Sequence, residues 1–479
     1  MISKTPVVYP YIPNSVPEIK AQMLREVNAK DEMDLFDVIP KELLYTKRLN
    51  IPEAIGDEYS IKRFATEILD KNANASDHIC FLGSGCAPHF IPAMCDEVTS
   101  RGELLTSYAG SGTMDVAKGQ LVFEYCSMMA ELVDMDSMSV AQVCGNDSAA
   151  HAMRIAGRLT GRKQILLPET VGRDFMMHVK NYCGGIAATG GGLELLPVAC
   201  DTKTGMLDLA DLKSKLGSDT AAVFIENPTY LGNIEFGAKE IGAMAKTAGA
   251  EYIVYVDPIS LGVMEAPGSY GATLVVGELQ SMGLHMAAGS GQAGFIAVKD
   301  EERYFNSLKD MMFGYTPTSQ PGEFSVSYYT AWDRTMYGKR EQGMEFTGTN
   351  AALFAICAGV YMASMGPKGM EEVGTTIMQR SQYAQKKLSG IPGVKIQFQS
   401  PSFKEFVVNF DGTNRKVSEI NKALLEKKIF GGKDLSAEFP RFGQSAQYCV
   451  TEVHTKADID KLVAALTEIT QTPAEQKKG

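Results

Sequence analysis

The chain has 479 residues and a formal net charge of −11, with 45% hydrophobic and 22% charged residues. This composition is typical of a folded protein and excludes disorder as its main state. The negative charge disfavours nucleic acid or an anionic membrane surface as the main partner, so we expect two or three domains that bind small molecules or other proteins.

The cysteines, the histidines and the N-terminus predict a cytoplasmic protein. Nine cysteines are scattered without a CxxC motif, and the six histidines do not gather at metal-ligand spacing. We therefore expect neither a disulfide framework nor a metal site. The N-terminus carries no apolar run of the signal-peptide type. No stretch approaches the roughly 20 apolar residues of a membrane span.

Residues 1–75 are predicted to form an N-terminal helical extension. Residues 15–18 give a helix start with an early proline and a first-turn acid, and apolar residues then recur at helical spacing as far as Val27. Residues 30–44 predict a second short helix that is interrupted at Ile39 and Pro40.

Residues 76–350 are predicted to form a large α/β domain. Nearly continuous apolar runs alternate with helical stretches, which predicts a mostly parallel sheet covered on both faces. The predicted strands are residues 164–168, 193–198, 221–226, 252–257 and 294–298, and helices between them include 208–216 and 238–247. Residues 311–349 lack periodicity and predict a long functional or interface loop.

Residues 351–479 are predicted to form a smaller α+β domain. Its predicted helices are 351–365, 370–388 and 456–469, and its predicted strands are 394–398, 405–410 and 447–452. The polar tail from residue 472 is expected to be frayed.

Two sequence features suit a phosphate-bearing cofactor. The turn of residues 144–150 opens a helix, where backbone amides, Asn146 and Ser148 can face a phosphate. Asp257 ends a buried strand, where a carboxylate can pair with a protonated ring nitrogen such as the pyridinium of pyridoxal phosphate. Each feature also has a purely structural interpretation, a strand-to-helix turn for the first and a turn cap before Pro258 for the second.

The lysine that such a cofactor needs is missing from its expected place. Enzymes of this layout carry a lysine a few tens of residues after the aspartate, and its amine bonds covalently to the cofactor. Residues 258–298 contain neither lysine nor arginine, and Lys299 follows the last strand of this stretch, where we expect it to face solvent. His285 lies in the gap as a possible base, although a structural role is the simpler interpretation.

Motifs from about residue 11 to residue 466 carry a specific resemblance. They include residues 11–14, 35–40, 81–85, 89–93, 123–125, 405–408, 431–435 and 449–452. The most diagnostic are VDPISLG at 256–262 and VGELQSMG at 276–283. In these motifs the chain resembles the glycine cleavage system P-protein family, and within it subunit 1, the alpha subunit, of decarboxylating glycine dehydrogenase.

The resemblance implies an α/β fold with a pyridoxal-phosphate-transferase-like (fold type I) large domain. It implies that a homologous second subunit carries the lysine and binds pyridoxal phosphate covalently. This chain then completes the active site, is inactive alone, and forms a heterotetramer with that subunit. The complete enzyme releases the carboxyl carbon of glycine as CO2 and passes the aminomethyl group to the lipoyl-bearing H-protein.

The resemblance also implies which residues face the substrate or the subunit interface. These are Thr106, Ser107, Tyr108, Gln280, Ser281, His285, Thr349 and Asn350. Asn146, Ser148 and Asp257 remain as candidates for a vestigial cofactor site. Tyr108 and Asn350 can donate hydrogen bonds to a substrate carboxylate, or Tyr108 can simply pack beneath the neighbouring loop.

Aromatic residues in the aperiodic segment predict contacts with another subunit. They are Tyr315, Tyr328, Tyr329, Trp332 and Tyr337. The alternative is that these rings pack within the subunit.

Several loops depart from the family pattern, which leaves the substrate open. Residues 109–115, 145–149, 284–285, 289–292 and 343–348 differ, whereas the scaffold motifs persist. Because loops carry function on a fixed scaffold, two alternatives to glycine cleavage remain. One is a subunit of a paralogous complex that acts on another small amino acid, and the other is a non-catalytic scaffold or regulatory homologue.

Overall fold

The computed structural model describes residues 8–45, 47, 49–105, 116–185, 192–289, 293–308, 312–329 and 351–471. The chain divides into two compact units, residues 1–72 and 73–479. The predicted domain boundary at residue 350 lies inside the second unit and stays a prediction. Within the described ranges, no helix is long and apolar enough to cross a membrane.

The first unit is built from short helical elements. It contains the helices α1 (Pro17–Glu26) and α2 (Glu58–Leu69) and the 3-10 turns Pro13–Ser15, Glu32–Phe36 and Lys41–Leu43. The helix predicted over residues 30–44 is instead two short 3-10 turns, and the interruption predicted at residues 39–40 lies between them. Pro40 separates the two turns, since it lacks a backbone N–H and disfavours helical geometry in the residue before it.

The second unit contains all of the strands and the remaining helices among the described residues. Its strands are β1 (Ile79–Cys80), β2 (Ser137–Met138), β3 (Gln164–Pro168), β4 (Glu194–Val198), β5 (Thr220–Glu226), β6 (Glu251–Val256), β7 (Leu274–Glu278), β8 (Gly294–Val298), β9 (Met312–Pro317), β10 (Phe324–Tyr329), β11 (Lys395–Ile396), β12 (Glu405–Asn409), β13 (Ile429–Phe430), β14 (Lys433–Asp434) and β15 (Ser445–Cys449). Its helices are α3 (Ala93–Ser100), α4 (Gly102–Leu105), α5 (Val116–Val133), α6 (Gly145–Thr160), α7 (Arg173–Cys183), α8 (Leu209–Lys215), α9 (Ala238–Thr247), α10 (Glu302–Phe305), α11 (Ala352–Leu388), α12 (Val417–Glu426) and α13 (Lys456–Gln471).

A seven-stranded sheet forms the centre of this unit, in the order β2-β8-β7-β6-β5-β3-β4. The five strands from β4 to β7 are parallel, and β8 and β2 are added antiparallel at one edge. The mostly parallel sheet was predicted correctly, and each strand predicted in it lies within one residue of its observed bounds.

Both faces of this sheet are covered, which explains the continuous apolar strands. In β5, Val223 and Ile225 pack in one apolar cluster with residues of α5, α9 and α11. Phe224, between them, packs in a second cluster with residues of α6 and α7. Because successive side chains of a strand point to opposite faces, neither face of β5 can be polar.

A smaller antiparallel sheet, β11-β12-β15-β14, packs with α12 and α13. The predicted strand 447–452 is shifted, because β15 covers Ser445–Cys449. Its partner β12 begins at Glu405, opposite Cys449, so the ladder ends there. The predicted strand 394–398 shortens to the two residues of β11.

The two helices predicted over 351–365 and 370–388 are the two arms of α11. Gly366 breaks the helical geometry with φ 58° and ψ −179°, directly before Pro367. Glycine permits this backbone conformation, and the proline cannot continue the hydrogen-bond pattern of the preceding turn.

Part of the predicted loop 311–349 is instead an antiparallel hairpin of β9 and β10. Serine alternates with apolar residues in β10, and this signal of a strand is hidden within a segment rich in polar residues. The Tyr315 ring packs edge-on against Phe123 of α5, with 4.2 Å between ring centroids, while the tyrosine remains half exposed. Trp332 and Tyr337 lie outside the described residues.

The smaller sheet meets the central sheet through a close backbone approach at Gly232. Gly232 has φ +93°, and a Cβ there would lie 1.9 Å from the Glu405 carbonyl oxygen. The Phe403 N–H donates to the Gly232 carbonyl at 3.1 Å. This approach fixes the entry of residues 403–405 over the end of the central sheet.

We predict that Gly232→Ala destabilises the chain more than Gly271→Ala. Gly271 has a similar φ of +97° but nothing within 4 Å of an added Cβ, so it isolates the backbone strain of about 1–2 kcal/mol. Gly232→Ala adds a collision with backbone, which cannot move aside as a side-chain tip can. Thermal unfolding of both variants measures the difference, and equal losses would contradict a tight approach at Gly232.

Candidate functional site

A polar cavity of about 130 Å³ lies at the carboxyl ends of β3, β5, β6 and β7. The chain runs from β3 outward to β4 and then returns to β5 on the other side of β3, so the strand order reverses here. Open parallel sheets bind their ligands at such a reversal. The lining residues are Ser84, Gly85, Asn146, Gly172, Asp174, Phe175, Glu226, Pro228, Thr229, Tyr230, Gly232, Tyr255, Val256, Asp257, Glu278, Gln280, Ser281, Phe403, Lys404, Glu405 and Lys433.

The centre of the cavity is an ion pair between Asp257 and Lys404. Asp257 follows β6, and Lys404 directly precedes β12, which places Nζ 2.5 Å from Oδ2. The other carboxylate oxygen, Oδ1, accepts from the Ser281 hydroxyl at 2.7 Å. Lys404 is buried and Asp257 is mostly buried. The aspartate that resembles a ring-nitrogen partner is thus already paired with an ammonium of the same chain.

Both members of this pair carry their charges. Burial is the largest single influence and would raise the pKa of Asp257, but the positive charge of Lys404 and the hydrogen bonds of the neighbouring groups together hold that pKa below the ordinary value. Burial is the largest single influence and would lower the pKa of Lys404, but the charge of Asp257, its hydrogen bond and other nearby acidic groups together raise that pKa above the ordinary lysine value. The Lys404 amine is therefore protonated at neutral pH and has no lone pair for attack on a carbonyl.

The ion pair extends into a buried histidine and a second carboxylate. His89 Nε2 lies 3.4 Å from Lys404 Nζ, and His89 Nδ1 lies 2.9 Å from Glu452 Oε2. Because an ammonium can only donate, Nε2 accepts and the ring proton is assigned to Nδ1, which donates to Glu452. Burial would raise the pKa of Glu452, but the hydrogen bonds from His89 and from the Phe90 N–H, with other nearby groups, together lower it.

A carboxylate also occupies the N-terminus of α6, where the sequence predicts phosphate binding. Glu278, the last residue of β7, accepts from the Gly145 N–H at 2.9 Å and from the Ala293 N–H at 3.0 Å. The N-terminus of a helix favours a negative group because its amide N–H groups are unpaired and point outward. Tyr255 closes the same place, since a Cβ on Gly145 would lie 2.3 Å from its hydroxyl.

Two further carboxyl groups in the cavity are held in an environment that favours protonation. Burial raises the pKa of Glu226 from the ordinary glutamate value to about 8, although the Tyr230 N–H donates to it at 2.9 Å. Burial also raises the pKa of Glu405, whose Oε1 accepts from the Ser84 N–H at 2.5 Å. The cavity thus combines the charged carboxylate of Asp257 with Glu226, whose pKa of about 8 favours the protonated form at neutral pH.

The second lysine of the cavity is also paired. Lys433 of β14 contacts the Tyr230 hydroxyl and lies 3.2 Å from Glu438 Oε2. The other oxygen of Glu438 accepts from the Arg173 N–H at 2.5 Å, at the start of α7. This group ties the β14 region to the central sheet.

Four of the predicted site residues line the cavity: Asn146, Asp257, Gln280 and Ser281. Gln280 is used structurally, because its amide nitrogen donates to the carbonyls of Ala87 and Leu284 at 3.0 and 3.1 Å. Its oxygen accepts from the Ala87 N–H at 3.1 Å.

Two others point elsewhere. The Ser148 hydroxyl is fully buried and donates to the Cys144 carbonyl at 3.0 Å, so it does not line the cavity. His285 is largely exposed and lies 2.7 Å from Asp96. The amine of Lys299 binds the Asp134 carbonyl at 2.7 Å, away from the cavity. Thr106, Ser107, Tyr108, Thr349 and Asn350 lie outside the described residues.

Sequence reasoning missed the roles of Lys404, His89, Glu452 and Glu278. Three of the four, His89, Glu278 and Glu452, belong to motifs that carry the resemblance, whereas Lys404 directly precedes one. A lysine placed immediately before an apolar strand was the available signal, but its partner cannot be read from the sequence. Among the described residues, no group of three or more histidine, cysteine, aspartate or glutamate side chains has an arrangement that could hold a metal ion.

We predict that the wild-type chain loses unfolding free energy as pH rises because Glu226 must ionise. The variant Glu226→Gln should not show this loss. The folded-state pKa of about 8 exceeds the ordinary value of 4.5, so the folded state binds the proton more tightly. The stabilisation is complete below pH 4.5 and is lost as pH rises through 8. Relative to wild type, Glu226→Gln should therefore gain unfolding free energy as pH rises from 5 to 9.

Urea unfolding at several pH values measures this difference. Glu240→Gln on α9, which removes an exposed carboxylate, is the matched control and should follow the wild-type profile. Parallel profiles for wild type and Glu226→Gln would show that Glu226 is ionised in the fold.

Comparison with known proteins places this site in a family. The family described as the glycine cleavage system P-protein matches residues 10–466. The probable glycine dehydrogenase (decarboxylating) subunit 1 of Staphylothermus marinus is 34% identical over 471 residues, covering 96% of this chain and 98% of the relative. The protein of the same description from Brevibacillus brevis is 33% identical over 466 residues, and the match covers 97% of this chain and 99% of the relative.

Solved structures agree on the fold. A crystal structure of glycine decarboxylase (P-protein) of the glycine cleavage system, in inhibitor-bound form, matches with a TM-score of 0.84 and 28% identity, covering 97% of this chain and all of that one. A Burkholderia pseudomallei sphingosine-1-phosphate lyase matches with a TM-score of 0.64 and 13% identity, covering 88% and 92%, and shows the fold alone.

These likenesses confirm the predicted fold class, an α/β large domain of the pyridoxal-phosphate-transferase type with a smaller α+β part. The family match spans almost the whole chain, and the relatives match over nearly their full lengths. The chain belongs to the glycine cleavage system P-protein family, in which these relatives are subunit 1 proteins.

Proposed function

We propose that this chain is the lysine-less subunit of a glycine-decarboxylating enzyme. A homologous second subunit binds pyridoxal phosphate through its own lysine, and this chain completes the active site across the interface. The complex releases the carboxyl carbon of glycine as CO2 and delivers the aminomethyl group to the lipoyl group of an H-protein. Bound to the partner, the cofactor supplies the electron sink for decarboxylation.

The observation that carries this proposal is the state of the lysines near Asp257. Residues 258–298 contain no lysine. The two lysines that line the cavity, Lys404 and Lys433, are each paired with a carboxylate. A cofactor aldehyde needs an unprotonated amine at a fixed place. Together with the family match, this favours a role in which the covalent chemistry belongs to the partner.

The first unit supplies a surface for such a partner. None of its described residues from 8 to 72 is buried. Most of the exposed large apolar side chains that the structure describes lie between residues 8 and 69, including Tyr11 at 97% and Val38 at 90% exposure. Apolar and aromatic patches of this kind are typical of protein interfaces. Because the relatives are described as subunit 1, we assign this surface to the second subunit.

Residues of this chain contribute binding and orientation. By resemblance, Thr106, Ser107 and Tyr108 with Thr349 and Asn350 face the partner's site. A phenol hydroxyl and an amide can donate to the carboxylate of a small amino acid and orient the departing CO2. Donors held in place before the reaction act without further reorganisation, which is the source of their effect.

We expect that the chain alone does not catalyse glycine–CO2 exchange. Mixed with a lysine-bearing homologous subunit, it should form a hetero-oligomer in light scattering and gain exchange when H-protein is added. Exchange with alanine or serine instead of glycine identifies the paralogous complex. Association without exchange on any of these amino acids identifies a scaffold. A chain that remains a monomer with the partner present contradicts the proposal.

Variants of the first unit test the assigned surface in the same mixture. Tyr11→Ser combined with Val38→Ser should weaken association at least about tenfold, because exposed apolar side chains at interface centres carry much of the binding energy. Leu425→Ser, at an exposed position on α12, is the control and should associate as wild type does. If wild type, the double variant and Leu425→Ser all associate equally with the second subunit, the interface does not include Tyr11 and Val38.

We predict that Tyr108→Phe or Asn350→Ala lowers exchange by about 10²–10³ in the complete complex, the usual effect of losing one well-placed donor. Tyr383→Phe loses a hydroxyl that donates to Asp460 at 2.6 Å, away from the cavity, and is the control. Melting temperatures separate lost chemistry from lost folding. If both variants keep the wild-type rate of glycine–CO2 exchange, Tyr108 and Asn350 have a structural role only.

A further inference from the structure

We propose that two side chains of this chain, Glu278 and Lys404, occupy the charged positions of a cofactor and close its pocket to pyridoxal phosphate. Glu278 stands in for the phosphate at the N-terminus of α6, and Lys404 stands in for the ring nitrogen at Asp257. The inference concerns non-covalent binding by this chain alone. It goes beyond the missing lysine and does not depend on the partner or the substrate.

The phosphate position is filled by charge and by contact. Glu278 already accepts the Gly145 N–H at the start of α6 and the Ala293 N–H before β8, so neither donor is free for a phosphate. A phosphate dianion would have to displace this carboxylate or lie beside it. Two negative groups within a few ångströms of each other in a partly buried site repel strongly. The Tyr255 hydroxyl also lies close to Gly145, since a Cβ there would come within 2.3 Å of it.

The ring-nitrogen position is filled by an ammonium. A pyridinium must approach Asp257 Oδ2, and Lys404 Nζ lies 2.5 Å from that oxygen. No other N–H or O–H group of the described residues reaches Oδ2. Displacing Lys404 would take its buried ammonium away from the Asp257 carboxylate, and the His89 ring nitrogen at 3.4 Å carries no negative charge to replace it. Uncompensated buried charge is strongly unfavourable.

The two substitutes also balance each other. Glu278 and Lys404 bring one negative and one positive charge into the cavity, in place of the anionic and cationic ends of the cofactor. The donors at α6 and the carboxylate of Asp257 therefore remain paired without a ligand, as buried polar groups must be. The residues present do not fit pyridoxal phosphate, and the pocket keeps its shape without it.

Pyridoxamine 5′-phosphate tests this inference, because it has no aldehyde and reports non-covalent binding only. Titration calorimetry on the full-length wild-type chain should show no binding. The double variant Glu278→Ala with Lys404→Ala, which keeps the net charge, should bind at least about tenfold more tightly than wild type, a gain of about 1.4 kcal/mol or more. Lys433→Ala with Glu438→Ala removes another charge pair at the same cavity, and this control should not gain binding.

Several results would overturn the inference. Stoichiometric binding by wild type would do so whatever the variants show. An equal gain in affinity for the Lys433→Ala, Glu438→Ala control would show that removing any charge pair at the cavity lets the ligand bind. No gain in a double variant with an unchanged cooperative melting curve would show that other groups close the pocket. If the double variant does not fold, the single variant Glu278→Gln, which keeps the size of the side chain, replaces it. This variant must bind pyridoxamine 5′-phosphate more tightly than wild type, although by less than is expected of the double variant. No gain in affinity would count against the inference.

A covalent readout complements the titration. After incubation with pyridoxal phosphate and borohydride reduction, peptide mass analysis should find no pyridoxyl group on Lys404. Modification of Lys404 ahead of the exposed lysines would contradict an ammonium held by Asp257.

Discussion

A buried ion pair, Lys404 with Asp257, joins the four-stranded sheet to the seven-stranded sheet at the place where the latter offers a site. The lysine reaches this place because Gly232 lets residues 403–405 approach the loop that follows β5. Breaking a buried pair by removing one partner typically costs about 3–5 kcal/mol, since the remaining charge has no water to solvate it. The surrounding groups, Ser281, His89 and Glu452, are oriented around this pair.

The same constraint explains how a cofactor fold can persist without a cofactor. In a pocket built for an anion at one end and a cation at the other, emptying the site would leave the Gly145 N–H of α6 and the Oδ2 oxygen of Asp257 without partners. Glu278 and Lys404 satisfy these groups from within the chain. The fold is then free to act as a structural counterpart of a catalytic subunit, which agrees with the proposed division of labour between homologous chains.

Sequence patterns predicted the central sheet well because its strands are buried on both faces and read as apolar runs. The pattern also located Asp257 and the start of α6. It could not reveal that Lys404 and Glu278 fill these positions, because the Lys404–Asp257 and Glu278–Gly145 contacts each join residues that lie far apart in the chain. The hairpin of β9 and β10 was missed for a local reason, since alternating serines in β10 lie within a segment rich in glycine and polar residues.

The cofactor content of the reconstituted complex tests the central claim most directly. Alkaline denaturation releases pyridoxal phosphate, and its absorbance gives the amount per pair of unlike subunits. One molecule per pair is expected, because this chain supplies neither a reactive lysine nor an open pocket. Two molecules per pair would contradict the account.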